Sequence, residues 1–578
     1  MKRLILGLLL FLLVLGNGAA SVRAEEIDIP NNKFGIHLAT PSEEDLGDAA
    51  DLVNSSGGDW GYVMVVIEEN DRDKRKWQDV FDRMREFHLI PIVRLATTSE
   101  NGVWRQPQAE EAESWANFLD SLNWVIKKRY LVLFNEPNYA AEWGGRVDPE
   151  GYAQVALEFA RKIKEKNSDF FIMLAGFDAS APHRSPTYED EAIFLRRMSI
   201  SLPNGLKELF NYLDGWASHS YPNYGFIGSP TGWGRNSVKG YLWEKQLLFQ
   251  LGVKKDLPVF ITETGWPHAE GIDYQTGLYS ETTVAQNFQT LFIQYLSDPQ
   301  VIAITPFILN YQSEPFDHFS WRKPDHRREF YPQYQTIQQI AKIKGEPRQE
   351  QKLKILYKLP QRLIKQSTYQ IHLQVRNEGQ AIWSEKEGYR LELLGDKENF
   401  EYFFSDFSEL KPFSKGTIQL HLKTKENLGK FDLGLVVTKD GQPVSNEIPW
   451  TLEMVPMVKV KFKTSLLPKI KTSGEDFKFL IYGDKEKVVF ERTRVKVEDG
   501  LGEVGEVNNL EIDKEYRLVV LKPFYLPRQG FLKIKEGRNE IVFKRMLPID
   551  FNLDGRLGLE DLSALVRQPT LLRLWWLR

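Results

Sequence analysis

Apolar and polar positions follow one repeating order over the first 345 residues of the chain. A short run of β-prone apolar residues is followed each time by a longer stretch in which apolar residues recur at helical spacing. This order predicts eight strands, at residues 34–39, 60–67, 91–95, 130–134, 170–175, 214–218, 259–262 and 301–307. The predicted helices begin near Ser42 and otherwise cover residues 74–87, 109–128, 149–166, 188–198, 238–251, 283–296 and 333–342. Eight strand–helix units predict an α/β fold, a closed (β/α)8 TIM barrel over residues 30–345.

The helical period stops after Pro347, and alternation replaces it. Between residues 369 and 376 every second side chain is apolar, which predicts a strand with one buried face. We expect two all-β sandwich modules, at residues 350–456 and 457–545. The first resembles bacterial immunoglobulin-like modules, with Trp383 as a core anchor. Both modules could bind carbohydrate, but neither shows a row of exposed Trp, which favours a spacing role.

The first 24 residues are typical of a secretory signal peptide, because Lys2 and Arg3 precede an apolar run from Leu4 to Leu15 and a small-residue end at Ala24. The run is short for a membrane span, although an uncleaved anchor stays open. The chain has no Cys, which excludes disulfides, a thiol nucleophile and a lipoprotein anchor. We therefore expect a secreted or cell-surface protein with no membrane span after signal cleavage.

Composition narrows the functional classes. A chain of 578 residues is too long for one core, so about two to four domains are expected. The formal net charge of -4 gives no basic field for nucleic acid. Aromatic residues make up 12% of the chain and include 15 Trp, and exposed Trp rings can stack on the apolar faces of sugars. Core filling remains the alternative for most of them.

Carboxylates stand at the ends of two predicted strands. Asn135 and Glu136 follow the fourth strand, where Pro137 prevents the ladder from continuing, and Glu263 ends the seventh. Strands four and seven lie on opposite sides of an eight-stranded barrel, so the two carboxylates are expected to face each other across its mouth. Such a pair suits glycoside cleavage, and a separation of roughly 5 to 5.5 Å gives a covalent intermediate and retention of configuration.

The motifs around Glu136 and Glu263, NEP and TETGWP, resemble the strand-four and strand-seven signatures of the clan A glycoside hydrolases, the cellulase-like retaining barrels. The resemblance implies that Glu136 is the general acid and base, that Asn135 binds the 2-hydroxyl of the sugar, and that Glu263 is the nucleophile. His219 and Tyr221 resemble the clan's strand-six His-x-Tyr. This implies that Tyr221 holds Glu263 ionised and that His219 helps to set the pKa of Glu136.

Two positions depart from the clan's pattern. Many members place an Arg at the end of strand two, where this chain has Glu68 and Glu69, so Arg94 on strand three is the candidate replacement. Many also carry a Trp on strand eight, and here the nearest is Trp321 in the following loop. The family within the clan stays open, since NEPN is similar to families 5 and 39 and TETGWP to families 17 and 53.

Further residues that follow the strands are candidates for substrate binding. They include His37 after strand one and Trp266 after strand seven. Asp178 and Asn310 follow strands five and eight, although barrel mouths collect polar residues for solvation alone. Several loop aromatics could line a cleft for a few sugar units: Trp104, Trp143, Tyr224, Trp233, Trp266 and Trp321.

Residues 550–561, DFNLDGRLGLED, have the spacing of a calcium loop. Asp550, Asn552 and Asp554 stand at positions 1, 3 and 5, Arg556 at position 7 and Asp561 at position 12, a pattern in which alternate oxygens wrap a Ca²⁺ ion. Residues 546–568 resemble a single dockerin repeat, which implies a cohesin-type or cell-surface partner, although dockerins carry two repeats. A chance acidic turn is the alternative.

These resemblances together predict a secreted retaining glycoside hydrolase that cleaves a β-linked polysaccharide by double displacement, with no cofactor for catalysis. One alternative is a non-catalytic carbohydrate-binding or cell-surface protein on a degenerate barrel, which the presence of both glutamates disfavours. The other is a transglycosylase that uses the same residues, and the sequence does not separate it from a hydrolase.

Overall fold

The computed structural model describes residues 32–324, 328–468, 472–507 and 510–577. The predicted signal peptide at residues 1–24 lies outside these ranges. The chain divides into two compact units. The first unit runs to Glu350 and also includes Gly379–Ile382, and the second comprises Gln351–Glu378 and the chain from Trp383 onward. Among the described residues, none of the helices has the length and apolar character needed to cross a membrane.

Parallel strands and helices alternate through the first unit, as the sequence predicts. The strands are β1 Gly35–His37, β2 Gly61–Glu68, β3 Leu89–Ala96, β4 Arg129–Leu133, β5 Phe170–Leu174, β6 Trp216–His219, β7 Val259–Glu263 and β8 Val301–Ile304. The helices are α1 Glu43–Val53, α2 Lys74–Glu86, α3 Ala112–Asp120, α4 Pro149–Lys166, α5 Glu191–Ser201, α6 Gly240–Gln250, α7 Glu281–Ser297 and α8 Pro332–Gln339. A short helix at Leu206–Leu209 and a hairpin of Ser99–Glu100 with Val103–Trp104 lie in the connecting segments.

The strands form two parallel sheets, one in the order β1-β2-β3-β4-β5 and one in the order β6-β7-β8. Backbone contacts join the sheets at both ends. Phe34, just before β1, forms a parallel bridge with Ile304 of β8, and the N–H of Asp214, just before β6, donates to the carbonyl of Ile172 in β5 at 2.8 Å. Because the strands run parallel, their carboxyl ends all lie on one side of the unit.

Local sequence explains where the helices of this unit begin. The Ser42 hydroxyl accepts the Asp45 N–H at 3.0 Å at the start of α1, and acidic residues fill the first turn. Asp148 caps α4, where Pro149 occupies the first helical position. The strands themselves are buried on both faces, as expected for parallel sheets covered by helices.

Several predicted boundaries differ from the structure, and two of them have a clear physical cause. The helix expected at residues 109–128 ends at Asp120, because the Leu119 carbonyl accepts the indole N–H of Trp124 at 2.9 Å and the chain turns to bury that ring. The strand expected at residues 301–307 ends at Ile304, since Pro306 has no N–H to donate and the Thr305 hydroxyl bonds to carbonyls of β7.

The second unit is rich in β-structure. Its first part forms a four-stranded and a five-stranded sheet. Burial alternates along Thr368–Asn377, and Trp383 is buried, as predicted. The strands of this part are Leu353–Ile355, Arg362–Ile364, Thr368–Asn377, Tyr389–Gly395, Phe400–Phe404, Lys415–Thr424, Gly429–Lys439, Gln442–Pro443 and Ile448–Val455.

The rest of the second unit forms one eight-stranded sheet followed by two helices. A buried apolar cluster fills one side of this sheet, where Phe462 stacks on Phe479 at 5.1 Å. The strands are Val458–Lys463, Gly474–Tyr482, Val488–Glu498, Leu501–Glu506, Glu515–Lys522, Phe524–Lys533, Gly537–Val542 and Pro548–Asp550. The helices are Leu559–Arg567 and Thr570–Leu577.

Candidate active site

Glu136 is held after β4 by a backbone turn that most residues avoid. The φ angles of Phe134 and Glu136 are +71° and +27°, in the left-handed region that non-glycine residues seldom enter. The Glu136 N–H donates to the Gly176 carbonyl at 3.1 Å, which ties this turn to the end of β5. Strained backbone of this kind concentrates at functional sites.

Glu263 ends β7 and is held by two donors from other strands. Arg94 Nη1 donates to Glu263 Oε1 at 2.9 Å and to Asn135 Oδ1 at 2.6 Å. The Tyr221 hydroxyl donates to Glu263 Oε2 at 3.1 Å. The carboxylate is buried, with its side chain 9% exposed, so both contacts replace the hydration that burial removes.

His219 stands between the two glutamates. Its Nδ1 lies 2.7 Å from Glu136 Oε1 and 3.8 Å from Glu263 Oε2. One ring nitrogen of His219 and one carboxylate oxygen of each glutamate lie within 4.8 Å of one another. The two carboxyl groups therefore face each other at short range. The Glu136 side chain is 21% exposed and is the more accessible of the two.

The surroundings of the two carboxyl groups drive their pKa values apart. Burial raises the pKa of Glu136, and the charges of Asp178 and Glu263 add to that rise. Burial acts in the same direction on Glu263, but the charges of His219 and Arg94 outweigh it and lower the Glu263 pKa. This arrangement favours the protonated form of Glu136 and the ionised form of Glu263, which suit the acid and nucleophile roles.

Tyr221 and His37 complete the surroundings of Glu263 without adding charge. Burial and the negative charge of Glu263 raise the pKa of Tyr221 well above its usual value, so its hydroxyl stays protonated and donates. Burial lowers the pKa of His37 to about 3, so this imidazole is neutral. Its Nδ1 lies 3.8 Å from Glu263 Oε1 and is buried without a hydrogen-bond partner, so the predicted contact of His37 with substrate stays a prediction.

Two Trp residues predicted to bind substrate lie in the core instead. Trp266 and Trp321 are each 1% exposed. Both pack on Phe288 of α7, at centroid distances of 5.3 and 4.9 Å. The Trp266 indole N–H donates to the Gly228 carbonyl at 2.8 Å. The prediction is wrong for both rings, because neither has a face open to a ligand.

The other predicted loop aromatics differ in how far they are buried. Trp143 is fully buried against Phe134, so the prediction that it lines a cleft is wrong. Tyr224 and Trp233, in the loop after β6, are 72% and 73% exposed. Trp104 is half-buried in the hairpin. Among the predicted loop aromatics, the two most exposed therefore both follow β6.

An aromatic wall lies beside Glu263 and was not predicted from the sequence. It consists of Phe226, Phe307, Phe316, Phe319 and Tyr311, and each ring contacts another at a centroid distance of 5.2 to 5.9 Å. The wall reaches the site at two points: Phe226 lies 5.0 Å from the Tyr221 ring, and Phe307 lies 5.2 Å from the His37 ring. The position of Phe307 at the end of the predicted eighth strand is the signal that could have found it.

A third carboxyl group lies near the pair and was also missed. Glu142 belongs to a 3-10 turn at Ala140–Glu142. Burial and the charge of Glu136 raise its pKa to about 7, although a hydrogen bond with Asn135 works against that rise. No pattern in the sequence indicates this residue, because the turn that brings it back toward Asn135 follows no strand or helix period.

A cation would fit poorly between Glu136, His219 and Glu263, because Arg94 already bonds to Glu263. Its guanidinium would repel a metal ion at close range. Among the described ranges, this trio is nevertheless the one group of three or more His, Cys, Asp or Glu side chains whose ligand atoms converge.

In the predicted calcium loop the side-chain oxygens accept bonds from the loop's own backbone. Asp561 accepts the N–H groups of Phe551 and Gly558 at 2.8 and 2.9 Å. Asp550 accepts the Gly555 N–H at 3.3 Å. Burial raises the pKa of Asp550, and the charges of Asp561 and Asp554 raise it further, so the charges of these two neighbours disfavour ionisation of Asp550.

Comparison with protein-family models gives no match, and neither does comparison with curated proteins. Solved structures of glycoside hydrolases show a low similarity. A monomeric β-xylosidase from Caulobacter crescentus is 11% identical, with 86% of this chain and 97% of that chain covered and a TM-score of 0.37. A β-mannanase from Thermomonospora fusca is 12% identical, with 54% and 89% covered and a TM-score of 0.35. An exo-β-1,3-glucanase from Aureobasidium namibiae is 12% identical, with 54% and 97% covered and a TM-score of 0.32. These identities and TM-scores are too low to assign this chain to any of these enzyme families.

Proposed function

We propose that the protein is a retaining glycoside hydrolase that acts on a β-linked polysaccharide, with the first unit closed into a (β/α)8 barrel. The observation that carries the proposal is the pair Glu136 and Glu263, whose facing oxygens lie within 4.8 Å and whose pKa values shift in opposite directions. Retaining enzymes need roughly 5 to 5.5 Å between carboxyl groups, whereas inverting enzymes need about 6.5 to 9.5 Å to admit a water.

In the first step Glu263 attacks the anomeric carbon while Glu136 gives its proton to the departing oxygen. The bond from the sugar to the leaving group breaks, and an ester between the sugar and Glu263 forms. Asn135 is fixed by its bond from Arg94, so its amide N–H can be directed at a sugar hydroxyl in this step. The ester leaves Glu263 uncharged, and Glu136 is now ionised.

In the second step Glu136 acts as base. It takes a proton from water, the water oxygen attacks the anomeric carbon, and the ester bond to Glu263 breaks. Both glutamates return to their starting protonation states. The exposed edge of Glu136 suits this step, because the water must reach this residue from solvent.

The test is to incubate the full chain with β-1,3-glucan, mixed-linkage β-glucan, cellulose, mannan and xylan, to size the products, and to identify the first-formed anomer by NMR. We expect cleavage of at least one polymer with the β-anomer formed first. Glu263→Gln should lower the rate by about a thousandfold or more, whereas Glu113→Gln, on the exposed face of α3, should not. First formation of the α-anomer, or near-normal activity of Glu263→Gln, would refute the assignment.

We further propose that residues 1–24 direct export and that the loop at residues 550–561 binds Ca²⁺. The donor set fits a hard cation, since Asp550, Asn552, Asp554 and Asp561 offer oxygens and the Gly555 φ of +77° allows the sharp turn that such loops need. Asp550 and Asp561 would hold the ion from the two ends of the loop, and the ion would neutralise carboxyl groups that otherwise repel. A cohesin-type or cell-surface partner for this segment stays a proposal.

A further inference from the structure

A cavity of about 530 Å³ lies beside the carboxyl ends of β1 and β8. Its volume falls within the range of small-molecule sites, about 300 to 1,000 Å³. Three segments of the first unit form its walls: the start of α1, the loop after β7 and the loop after β8. The lining residues are Ser42, Glu44, Asp45, Ile272, Asn310, Gln312, Arg322 and Pro324.

Hydrogen bonds hold the polar side chains of this cavity in place. Asn310 Nδ2 donates to Asp45 Oδ1 at 2.9 Å, and Gln312 Nε2 donates to Asn310 Oδ1 at 2.7 Å. Arg322 donates to Glu44 and lies 3.9 Å from Asp45. Asp45 and Arg322 are mostly buried, so the base of the network is held in place by burial as well as by hydrogen bonds. It presents donors and acceptors side by side, which is what sugar hydroxyls require.

The aromatic wall connects this cavity to the candidate active site. Phe307 lies 5.2 Å from the His37 ring on one side and 5.2 Å from Phe316 on the other. Phe316 in turn lies 5.3 Å from Tyr311, the residue between Asn310 and Gln312. This row of rings thus lies between the candidate active site and the polar cavity of the first unit, where apolar ring faces can support an extended sugar chain.

The charges of the cavity select among ligands. Glu44 and Asp45 outnumber Arg322, so the lining is net negative and disfavours phosphate or uronate groups. The same Arg322 lies against both carboxylates, which disfavours a bound metal ion. The half-exposed Ile272 side chain supplies an apolar patch on which a sugar ring can rest. These features together favour an uncharged sugar.

We infer that this cavity is a distal subsite that binds an uncharged sugar unit of the same polysaccharide chain whose reacting unit lies between Glu136 and Glu263. The inference rests on the proposed function and adds a substrate class, neutral oligosaccharides long enough to reach from the reacting centre to Gln312. Each hydrogen bond that a distant unit makes there should raise kcat/KM for long substrates relative to short ones.

The experiment measures kcat/KM on β-1,3-gluco-, β-1,4-gluco-, β-1,4-manno- and β-1,4-xylo-oligosaccharides of two to six units. In wild type the value should rise with length in the series that is cleaved. In Gln312→Ala and in Asn310→Ala the ratio of the six-unit to the two-unit value should fall by about three- to tenfold. Gln154→Ala, on the exposed face of α4, is the matched control and should keep the wild-type ratio.

Calorimetry with Glu263→Gln gives a second readout that does not need turnover. Six-unit neutral oligosaccharides of the four series are the probes, and six-unit β-1,4-mannuronate is the charged comparison. We expect a neutral series to bind at least about tenfold more tightly than the uronate, and Gln312→Ala in this background to weaken the neutral ligand.

The outcomes separate the two proposals. If wild type cleaves and both cavity variants keep the wild-type ratio of the six-unit to the two-unit kcat/KM, the subsite is overturned. The hydrolase proposal then stays intact. If wild type cleaves none of the four series, the hydrolase proposal fails, and the subsite then stands only if Gln312→Ala weakens neutral-oligosaccharide binding. Equal or tighter binding of the uronate overturns the selection for uncharged sugars.

Discussion

His219 is the residue through which the two catalytic candidates influence each other. Burial opposes its protonation, but the negative charge of Glu263 and the hydrogen bond with Glu136 raise the His219 pKa above its usual value. A cationic imidazole lowers the pKa of Glu263, and its Nδ1 shares a hydrogen bond with Glu136. The three groups thus titrate as one system, and a pH–rate profile will report the macroscopic pKa values of the set.

Replacement of Glu136 separates its acid role from its base role. Glu136→Ala should be slow on polysaccharide, because no group protonates the departing oxygen. Activity should partly return on aryl glycosides with good leaving groups, and azide should raise it further by replacing water as the nucleophile in the second step. Initial rates with and without azide, with NMR detection of a β-glycosyl azide, provide the measurement. Equal loss on both substrate types without azide rescue would exclude the acid and base role.

Glu142 should set the alkaline limb of the pH profile. Its ionisation, with a pKa near 7, places a negative charge beside Glu136, and such a charge makes Glu136 harder to deprotonate. Glu142→Gln removes that charge, so Glu136 should lose its proton at lower pH. We expect the alkaline limb of kcat/KM to move to lower pH while the acid limb moves less. A profile that superimposes on wild type would show that the two carboxyl groups do not interact.

At the scale of elements, the close approach of β5 to β6 fixes the imidazole of His219. A Cβ atom added to Gly176 would lie 2.1 Å from His219 Cδ2 and 2.4 Å from its Nε2, far inside van der Waals contact. The carbonyl of Gly176 also accepts the Glu136 N–H. This glycine at the end of β5 therefore positions the general acid and its histidine together.

Gly176→Ala should displace His219 and lower kcat by about tenfold or more, because a shift of the order of 1 Å misaligns the proton donor. The pH profile should change as well, since the displaced imidazole no longer lowers the pKa of Glu263. Gly47→Ala is the control: nothing lies within 4 Å of the added Cβ, and an Ala inside α1 should stabilise by about 0.5 to 1 kcal/mol. Circular dichroism checks folding. Unchanged kcat and pH profile would contradict the positioning role.

The start of α5 and the middle of α6 share a buried pair of acids that the proposed reaction does not use. Both carboxyl oxygens of Glu191 are buried without a hydrogen-bond partner, whereas Glu244 accepts the Trp216 indole N–H at 2.7 Å. Burial and the charge of Glu244 raise the pKa of Glu191 well above its usual value. Burial therefore favours the protonated form of Glu191 in the folded protein.

Glu191→Gln should stabilise the protein, and the gain should grow with pH. In the unfolded chain Glu191 ionises above pH about 4.3 while the folded form keeps its proton, so stability falls as pH rises. Gln mimics the protonated acid and removes this penalty. Thermal unfolding from pH 4 to 8 should show equal Tm values at pH 4 and a higher Tm for the variant at pH 8. Glu110→Gln, at an exposed position, is the control, and a pH-independent difference would contradict the assignment.

Elements were predictable because their signals are local. The period of apolar residues located strands β1 to β8 and helices α1 to α8 of the first unit. The failures came from contacts between distant residues: the indole of Trp124 ended α3 early, and the packing on Phe288 removed Trp266 and Trp321 from the surface. A side chain at a strand end can turn into the core or into the mouth, and sequence spacing does not distinguish the two.

At the scale of the whole molecule, the second unit ends in the predicted calcium loop. Pro548–Asp550 pairs with Phe524–Lys533, so the loop begins on an edge strand of the eight-stranded sheet. Phe551 and Tyr525 both contact Trp575, which packs the terminal helix against that edge. Loss of order in the loop should therefore loosen the last helices without reaching the first unit.

Calcium should protect this terminal segment and leave hydrolysis of soluble polysaccharide unchanged. EGTA should expose residues 546–577 to protease, and Asp550→Ala combined with Asp554→Ala should do so at any calcium concentration, because the remaining oxygens cannot replace the two lost carboxylates. Glu426→Ala, in an exposed turn of the same unit, is the control. Calorimetric titration with Ca²⁺ provides an independent measurement. No heat on titration, together with equal protection in EGTA, would leave a plain acidic turn.

Function was harder to predict than fold because it depends on groups that meet only in three dimensions. Glu136 and Glu263 stood out because strand ends are readable from sequence, but Glu142 and the aromatic wall come from turns and loops that follow no period. The resemblance to a clan suggested roles for single residues. It did not indicate that Arg94 would join Asn135 and Glu263, since that contact spans 169 positions of the chain.

The unequal exposure of the two glutamates bears on the competition between water and sugar acceptors. Once the ester forms on the buried Glu263, any incoming hydroxyl must pass the more open Glu136 to be deprotonated. Water and the end of another glycan therefore compete for the same base, and whichever occupies the place beside Glu136 longer decides the product. Hydrolysis and chain transfer are then two outcomes of one kinetic partition. The balance can be changed by making the space beside Glu136 wider or more apolar while the catalytic pair stays as it is.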